Sequence, residues 1–395
     1  MRPDLQQQFL EEFEPARFER FLHTLEQRIG MHIEFRVCEC PIFMSHAFRG
    51  TLERAATEIL LECVSPAMRR ESEHTLEDRY RVPGDEGHPL FAVLDFAVTQ
   101  TPDGEYRPKL IEMQGFPSLF GYQLLYGQTA RDVYELDPAL ATTLGGLSEE
   151  DYIRRLREAI LGGHDPDQVA LLEFAPQEQK TRPDFLALRG LIGIEETDIR
   201  SVRKEGKTLL HERGGRWVPI KRIFNRAIID ELDEHKAALA FHWGDELDVE
   251  WAGHPNWYFR ISKFLLPFLE HAAVPRTWRL DRMDQMPADL ENFVLKPLYS
   301  FAGKGVNVSP TRNDVERARA EQAANYILQE KVDYKPCVIT PEGLNKIEIR
   351  IMLIWPADAA GPTPVMSLIR TGRGPMMGVR YNNVPWSGSS TGLFI

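Results

Sequence analysis

The sequence predicts a mixed protein of the α+β or α/β class, with a small domain built on a partly parallel sheet. A hairpin signal spans residues 89–111, where two strand-like runs flank the turn residues Thr101-Pro-Asp-Gly104. Between residues 169 and 224, short apolar runs alternate with a helical segment. That order is typical of βαβ units and favours parallel strands.

Length and charge limit the classes of protein that fit. At roughly 150 residues per domain, 395 residues predict two to three domains, and we place their boundaries at 1–165, 166–282 and 283–395. The 47 Lys and Arg against 59 Asp and Glu give a net charge of −12, so the global field does not attract nucleic acid or anionic membrane. A hydrophobic content of 43% excludes wholesale disorder.

Cysteine content and apolar run length make the cytoplasm the expected compartment. Four cysteines are too few for a disulfide scaffold. Cys38 and Cys40 would share one face of a strand, but no second pair completes a zinc site, so we predict buried free thiols. No apolar run approaches the roughly 18 residues that span a bilayer, and the polar first 30 residues are unlike a signal peptide.

Periodicity predicts the elements in order. Helical spacing of apolar residues indicates helices over Asp4–Arg28, ended by Gly30, then over Leu52–Cys63, through the region up to Leu161, and over Phe185–Leu191. Residues 162–167 look like a linker. Alternating or short apolar runs predict strands over residues 32–38, 90–98, 109–114, 169–174, 197–202, 293–296, 325–332, 346–355 and 365–370. The run over residues 217–224 closes the middle segment.

The strongest local signal is a strand that ends in Lys296 and is followed by a glycine loop. Gly303 and Gly305 let backbone N–H groups approach an anion, and Lys304 lies between them. The residue order is not that of a P-loop. We predict that Lys296 contacts nucleotide phosphate and that the loop covers it. The alternative is a flexible hairpin with a solvated lysine.

Two later strands extend this signal. Gln329, Glu330 and Lys331 end an apolar strand, where backbone groups can meet an adenine edge and the next residues can reach ribose. Glu348 and Arg350 share one strand face by the period-two rule. Facing a cleft, that acid and base would bind metal and phosphate. A solvated strand face with one salt bridge is the alternative.

Oxygen-bearing side chains are concentrated on the predicted hairpin. Glu112 and Gln114 share a face of the second strand, and Asp95 on the first strand can lie opposite them. Three converging oxygen ligands suit Mg²⁺. In the loop that follows, backbone N–H groups and the Ser118 hydroxyl would face a substrate carboxylate or a phosphate. The alternative is a surface hairpin with scattered acids.

The order of these motifs resembles circularly permuted ATP-grasp proteins of the glutathionylspermidine synthetase type. The resemblance spans about residues 90–390, although Gln114 stands where that family has Asn and the substrate-recognition and amidase portions find no match. It implies a permuted ATP-grasp fold with a Rossmann-like pre-ATP-grasp domain over 166–282. The metal lobe would lie within 1–165 and the nucleotide lobe within 283–395.

The resemblance also implies cofactors and roles. ATP would be bound by Lys296, the glycine loop and residues 329–331, and Mg²⁺ by Asp95, Glu112 and Gln114. Arg380 would stabilise the transferring phosphoryl group, and Arg350 or Arg373 would do the same. Ser118 would contact the reacting groups. The segment that includes Arg222 and Arg226 would face the substrate, or else form a packed basic strand end.

The implied reaction is ATP-dependent ligation of a small-molecule carboxylate to an amine through an acylphosphate. Two alternatives remain open: a phosphotransferase on the same fold, and a non-catalytic nucleotide-binding module. The acidic set together with Lys296 argues against the last of these, because a degenerate binder has no need of metal ligands. Neither the substrates nor the oligomeric state follows from the sequence.

Overall fold

The computed structural model describes residues 1–85, 87–299, 303–378 and 381–395. Its α-helices are α1 (Pro3–Glu11), α2 (Pro15–Ile29), α3 (His46–Cys63), α4 (Pro66–Ser72), α5 (Phe120–Val133), α6 (Glu149–Leu161), α7 (Arg182–Ile192), α8 (Ile229–Glu234), α9 (Asn256–Arg260) and α10 (Arg312–Gln322). Its strands are β1 (Ile42–Met44), β2 (Phe91–Gln100), β3 (Tyr106–Gln114), β4 (Val169–Glu173), β5 (Glu196–Asp198), β6 (Arg203–Glu205), β7 (Thr208–Arg213), β8 (Arg216–Pro219), β9 (Arg222–Asn225), β10 (Glu250–Ala252), β11 (Thr277–Arg279), β12 (Phe293–Pro297), β13 (Tyr326–Glu330), β14 (Val338–Thr340), β15 (Gly343–Ile354), β16 (Thr363–Gly372) and β17 (Gly388–Phe394).

A seven-stranded central sheet organises the chain. Its order is β1-β17-β16-β15-β2-β3, and β14 pairs with one end of β15. The β1–β17 pair is parallel, whereas the other pairs are antiparallel, so the sheet is mixed. Both faces are buried: isoleucines 347, 349 and 351 of β15 join a large core with α2 and α3, and Met352 packs in a second core with α6 and α7.

Three smaller sheets complete the described fold. The order β10-β9-β4-β5 is parallel throughout, as the alternating pattern of the middle segment predicts. The antiparallel sheet β11-β13-β12 carries Lys296 on β12 and packs on α10. The antiparallel sheet β6-β7-β8 lies within the middle segment. The mixed α/β class is therefore confirmed, whereas the domain boundaries stay a prediction.

Several elements match the prediction because their patterns are local. The hairpin β2–β3 turns at Thr101–Gly104, and the pair β15–β16 occupies the two predicted late strands. Helix α3 includes Leu52–Cys63 and begins earlier, where the Ser45 hydroxyl accepts the N–H of Phe48. The capping glycines Gly30 and Gly162 both have positive φ and end α2 and α6.

Three predictions about elements are wrong. The predicted first helix is two helices. Pro15 has no N–H to donate inside a continuous helix, and it begins α2 instead. Residues 32–38 form only an isolated bridge from Val37 to Ser389, and the nearest strand is β1. The strand expected over 197–202 ends at Asp198 in a 3₁₀ turn, where the Asp198 carboxylate accepts the N–H of Arg200.

The cysteines are free and buried, as predicted. The Sγ atoms of Cys38 and Cys40 lie 3.8 Å apart, in a loop and not on a strand. Across the described ranges, no helix combines the length and the apolar character needed to cross a membrane.

Candidate functional site

The site is built on one row across the central sheet. Asp95 of β2 lies directly opposite Glu112 of β3 on one side and opposite Arg350 of β15 on the other. The hairpin register slips just after Asp95, where a bulge interrupts the pairing of β2 with β3. The predicted pairing of these carboxyl-bearing strands is therefore present. Asp95 and Arg350 are buried, and Glu112 is half-buried.

Asp95 is engaged by two arginines. Its Oδ1 accepts from Nε of Arg350 at 2.6 Å, and its Oδ2 accepts from Arg350 at 2.7 Å and from Arg370 at 3.0 Å. Burial alone would raise the pKa of Asp95, but the two guanidinium groups outweigh it and hold the pKa well below its usual range. Asp95 is thus ionised and fixed in place by charge-assisted bonds.

Glu348 and Tyr334 extend this network. One oxygen of Glu348 accepts from Arg370, and the other accepts from the Tyr334 hydroxyl at 2.7 Å. Burial raises the pKa of Glu348, and Arg370 opposes that effect. Arg370 lies opposite Glu348 on β16 and was absent from the predicted site residues. The sequence alone gives no signal for this role, because the position of Arg370 beside Glu348 follows from the register of β15 with β16.

Lys296 links the sheet β11-β13-β12 to the central sheet. Its Nζ donates to the carbonyl oxygen of Ile111 on β3 at 3.0 Å and also to the side chain of Gln329 on β13. Burial lowers the pKa of Lys296 to about 8, with Glu112 acting to raise it and Lys263 to lower it. The strand-end lysine and the acidic hairpin, about two hundred positions apart in sequence, therefore border one site.

A second buried lysine was missed by the sequence analysis. Lys263 follows α9, is only 6% exposed, and lies close enough to Glu112 for the carboxylate to act on its pKa, which burial lowers. The available sequence signal was a lysine within the apolar run of residues 261–266. A buried charge usually has a partner, so such a lysine is a candidate site residue. Two lysines therefore converge near Glu112.

The metal set predicted from sequence is only partly available here. Within the described residues, no three His, Cys, Asp or Glu side chains are placed to hold a metal ion. The oxygens of Asp95 are occupied by arginines. Glu112 and Gln114 lie half-buried on one face of β3, and Glu112 acts electrostatically on Lys296 and Lys263. The fit to Mg²⁺ thus rests on Glu112 and Gln114, and Asp95 as a ligand stays a prediction.

The glycine loop follows β12, whereas Glu330 ends β13 opposite Phe293, at the other end of this strand pair. Gly303 and Gly305 have φ of +75°, and a Cβ at Gly303 would lie 2.5 Å from Met376. Lys304 is exposed. Glu330 and Lys331 are also exposed and line a cavity of about 520 Å³ between the chain after β13 and the ends of β2 and β3.

The predicted arginines at the end of the chain are only partly placed. Arg380 lies outside the described residues. Arg373 donates to the side chain of Asn345 and to the carbonyl oxygen of Pro385, so its described contacts hold the chain before β17.

Ser118 lies in a loop that Asp184 holds in place. The Asp184 carboxylate accepts the backbone N–H groups of Leu119, Gly121 and Tyr122 at 2.8–3.0 Å, and it therefore caps the start of α5. Leu119 adopts positive φ there. The loop is ordered by these bonds, and the Ser118 side chain is half-buried.

The carboxyl end of β9 carries buried polar atoms without partners. Nε and one terminal nitrogen of Arg226, and Oδ1 of Asn225, make no hydrogen bond in the described structure. Both residues are at least 96% buried, and Asp184 and Glu173 act on the Arg226 charge. Buried donors and acceptors are usually satisfied, so these atoms are candidates for contact with water, an ion or a ligand. Arg222 does not fit the predicted substrate role, because it bonds to Glu250 and to carbonyl groups of α6.

Comparison with known proteins shows the fold. No protein-family model matches this chain, and no curated protein sequence matches it. Among solved structures, a glutathione synthetase-like effector from Globodera pallida, solved in its apo form, matches with a TM-score of 0.58 and 11% identity. The match covers 97% of this chain and 98% of that chain. The chain therefore has a fold similar to that of a glutathione synthetase-like protein over almost its whole length.

Proposed function

We propose that this protein is an ATP-dependent carboxylate–amine ligase of the permuted ATP-grasp type, acting through an acylphosphate. The observation that carries the proposal is the convergence of Lys296 and Lys263 on Glu112, between two sheets. Both lysines are buried, and a polyanion between the sheets would offset the cost of burying their charge. The glutathione synthetase-like fold supports the same class of reaction.

ATP would lie between the sheet of Lys296 and the central sheet. Lys296 and Lys263 would neutralise phosphate oxygens, and the backbone N–H groups near Gly303 and Gly305 would close over them. Nε2 of Gln329 is buried and has no described hydrogen-bond partner, so it would donate a hydrogen bond to the nucleotide. The exposed Glu330 and Lys331 follow on the same strand end, where the base and ribose are proposed to bind.

Glu112 and Gln114 would hold Mg²⁺ together with nucleotide oxygens, which matches the preference of this ion for few protein ligands. When bound, the ion supplies charge neutralisation of the phosphates. The Glu112 carboxylate already lies in the field of Lys296 and Lys263, and it would share its charge between these lysines and the ion. Asp95 would join them only after releasing an arginine.

The carboxylate substrate would be held at the end of β9. Arg226 offers unpartnered N–H groups, and the adjacent Asn225 offers an unpartnered oxygen, so a ligand with an anionic oxygen and a donor fits both. The Ser118 hydroxyl would contact the same ligand. Carboxyl ends of parallel strands are where ligands bind in such sheets.

The reaction would join two anions, and the cationic groups offset their repulsion. A carboxylate oxygen of the substrate attacks the γ-phosphorus, the bond to the β–γ bridging oxygen breaks, and ADP leaves. Arg350 and Arg370, held by Asp95, would stabilise charge on the transferring phosphoryl group, with Arg380 in the same proposed role. The amine then attacks the acyl carbon, phosphate leaves, and the amine gives up a proton.

A second candidate is a nucleotide-binding protein without ligase activity. The bonds from Arg350 and Arg370 to Asp95 favour it, because they occupy a carboxylate that the resemblance assigns to the metal. The neighbouring structure is described as an effector.

One assay separates these candidates. The wild-type chain is incubated with ATP, Mg²⁺, hydroxylamine and a panel of amino acids and small carboxylic acids. A ligase yields ADP and a hydroxamate with its own acid, because hydroxylamine traps an acylphosphate. ADP with a stable phosphorylated product indicates a phosphotransferase, and tight nucleotide binding without ADP formation indicates the non-catalytic candidate. Absence of nucleotide binding would contradict the ligase, the phosphotransferase and the non-catalytic candidate alike.

A further inference from the structure

Tyr334 lies in the segment that connects the Lys296 sheet to the central sheet. This connecting segment, residues 331–337, follows β13 and precedes β14. Near its start, the N–H of Lys331 donates to the carbonyl oxygen of Asn292, just before β12, at 2.7 Å. Farther on, the N–H of Lys335 donates to Val98 of β2 at 2.8 Å. Tyr334 is therefore held between one anchor on each sheet.

The Tyr334 hydroxyl is the outermost member of the buried polar network. It donates to Oε2 of Glu348 at 2.7 Å, while Oε1 of Glu348 accepts from NH1 of Arg370. The same NH1 also donates to Oδ2 of Asp95 at 3.0 Å, so two carboxylates share one nitrogen. Where Arg370 lies thus depends on where Glu348 is fixed. No other described side chain bonds to Oε2 of Glu348.

Arg350 is held differently. Its two N–H groups donate to both oxygens of Asp95, which fixes the guanidinium plane without help from Glu348. The two arginines therefore give an internal comparison. A change that reaches the network through Glu348 should affect Arg370 and leave Arg350 nearly unaffected.

We propose that Tyr334 is a positioning residue that fixes Glu348 and thereby sets the position of the Arg370 guanidinium relative to Asp95. Because Tyr334 belongs to the connecting segment and the other members belong to the central sheet, the placement of Arg370 is coupled to the approach of the two sheets. Only the consequence for turnover rests on the proposed function.

The test is Tyr334→Phe, which keeps the ring and removes the hydroxyl. Side-chain ¹⁵N spectra of the full chain, assigned with Arg370→Lys and Arg350→Lys, report each guanidinium. We expect the Arg370 signals to shift and broaden and the Arg350 signals to stay in place. Tyr80→Phe is the matched control, since its hydroxyl donates to Asp233 at 2.6 Å near the surface. Unchanged Arg370 signals in Tyr334→Phe would overturn the proposal.

Turnover supplies the second measurement. With ATP as the probe, we expect Tyr334→Phe to bind nucleotide within about twofold of wild type and to form ADP about tenfold more slowly, a change of roughly 1.4 kcal/mol in the barrier. A wild-type chain that binds no ATP contradicts the proposed function, while the spectra still decide the role of Tyr334. Equal loss in nucleotide affinity and in rate would show a general structural defect and contradict the positioning role.

Discussion

At the scale of single residues, Lys296 is the group on which nucleotide binding depends most. Lys296→Met keeps an apolar stem but removes the charge, so we expect ATP affinity to fall by about 2–4 kcal/mol, roughly 30-fold to 1,000-fold. Titration calorimetry measures the change. Lys207→Met, which removes an exposed lysine paired with Glu246, is the control and should bind ATP normally. Equal affinity of Lys296→Met and wild type would refute the assignment.

Asp95 is a residue whose loss should destabilise the fold. Asp95→Asn leaves two buried arginines without their shared charge, so we expect the free energy of unfolding to fall by about 3–5 kcal/mol. Urea denaturation measures it. Asp132→Asn breaks an exposed pair with Arg28 and should cost less than about 1 kcal/mol. Because the folded pKa of Asp95 is depressed, its contribution is present above about pH 4 and is lost as pH falls toward the folded pKa.

Glu173 gives a pH dependence of the opposite sign. Burial raises its pKa to about 7, above the unfolded value of about 4.3, so stability is lost as pH rises between those values. We expect Glu173→Gln to gain about 1–3 kcal/mol relative to wild type between pH 5 and pH 8. The exposed Glu178→Gln is the control and should show no such gain. A pH-independent difference for Glu173→Gln would contradict the burial argument.

At the scale of elements, Asp184 determines how the loop before α5 is held. Asp184→Ala leaves the N–H groups of Leu119, Gly121 and Tyr122 without their acceptor, and we expect about 2–4 kcal/mol of destabilisation. Hydrogen exchange of residues 115–125 should accelerate. Asp165→Ala removes one exposed turn bond to Asp167 and is the control. Slow exchange of the loop in Asp184→Ala would show that the loop is held by other contacts.

Elements were predictable from sequence where the pattern is local. The hairpin β2–β3 combines alternation with a Pro-Asp-Gly turn, and both signals lie within its own residues. The N-terminal helix was predicted as one piece because the apolar spacing continues past Pro15, although that proline cannot donate a helical N–H. Some loops form their backbone hydrogen bonds with residues far away in sequence, as Val37 does in its bridge to Ser389. The sequence of such a loop shows no periodic pattern.

At the scale of the whole molecule, the site is assembled from segments far apart in sequence. Asp95, Glu112 and Lys296 could be named from strand patterns, because each lies on a strand whose period shows which face it occupies. Arg370 and Lys263 could not be named, since their roles depend on strand order and on packing between sheets. Neither the order of strands in a sheet nor the packing between sheets can be read from the sequence alone.

Binding of a nucleotide between the sheets should stabilise the whole chain. At ATP concentrations of about 100 times Kd, linkage adds about 2.7 kcal/mol to the free energy of unfolding. We expect this gain for the wild type in urea denaturation and a gain below about 1 kcal/mol for Lys296→Met at the same ATP concentration. A similar gain in both chains would place the nucleotide away from Lys296.

The central claim is that the Lys296 sheet and the acidic hairpin bind one triphosphate between them. A crystal structure of the full chain with Mg²⁺ and a non-hydrolysable ATP analogue tests it most directly. We predict the triphosphate beside Nζ of Lys296, with its phosphates facing Glu112. Analogue bound on another surface, or an empty space between the two sheets at saturating analogue, would contradict the account.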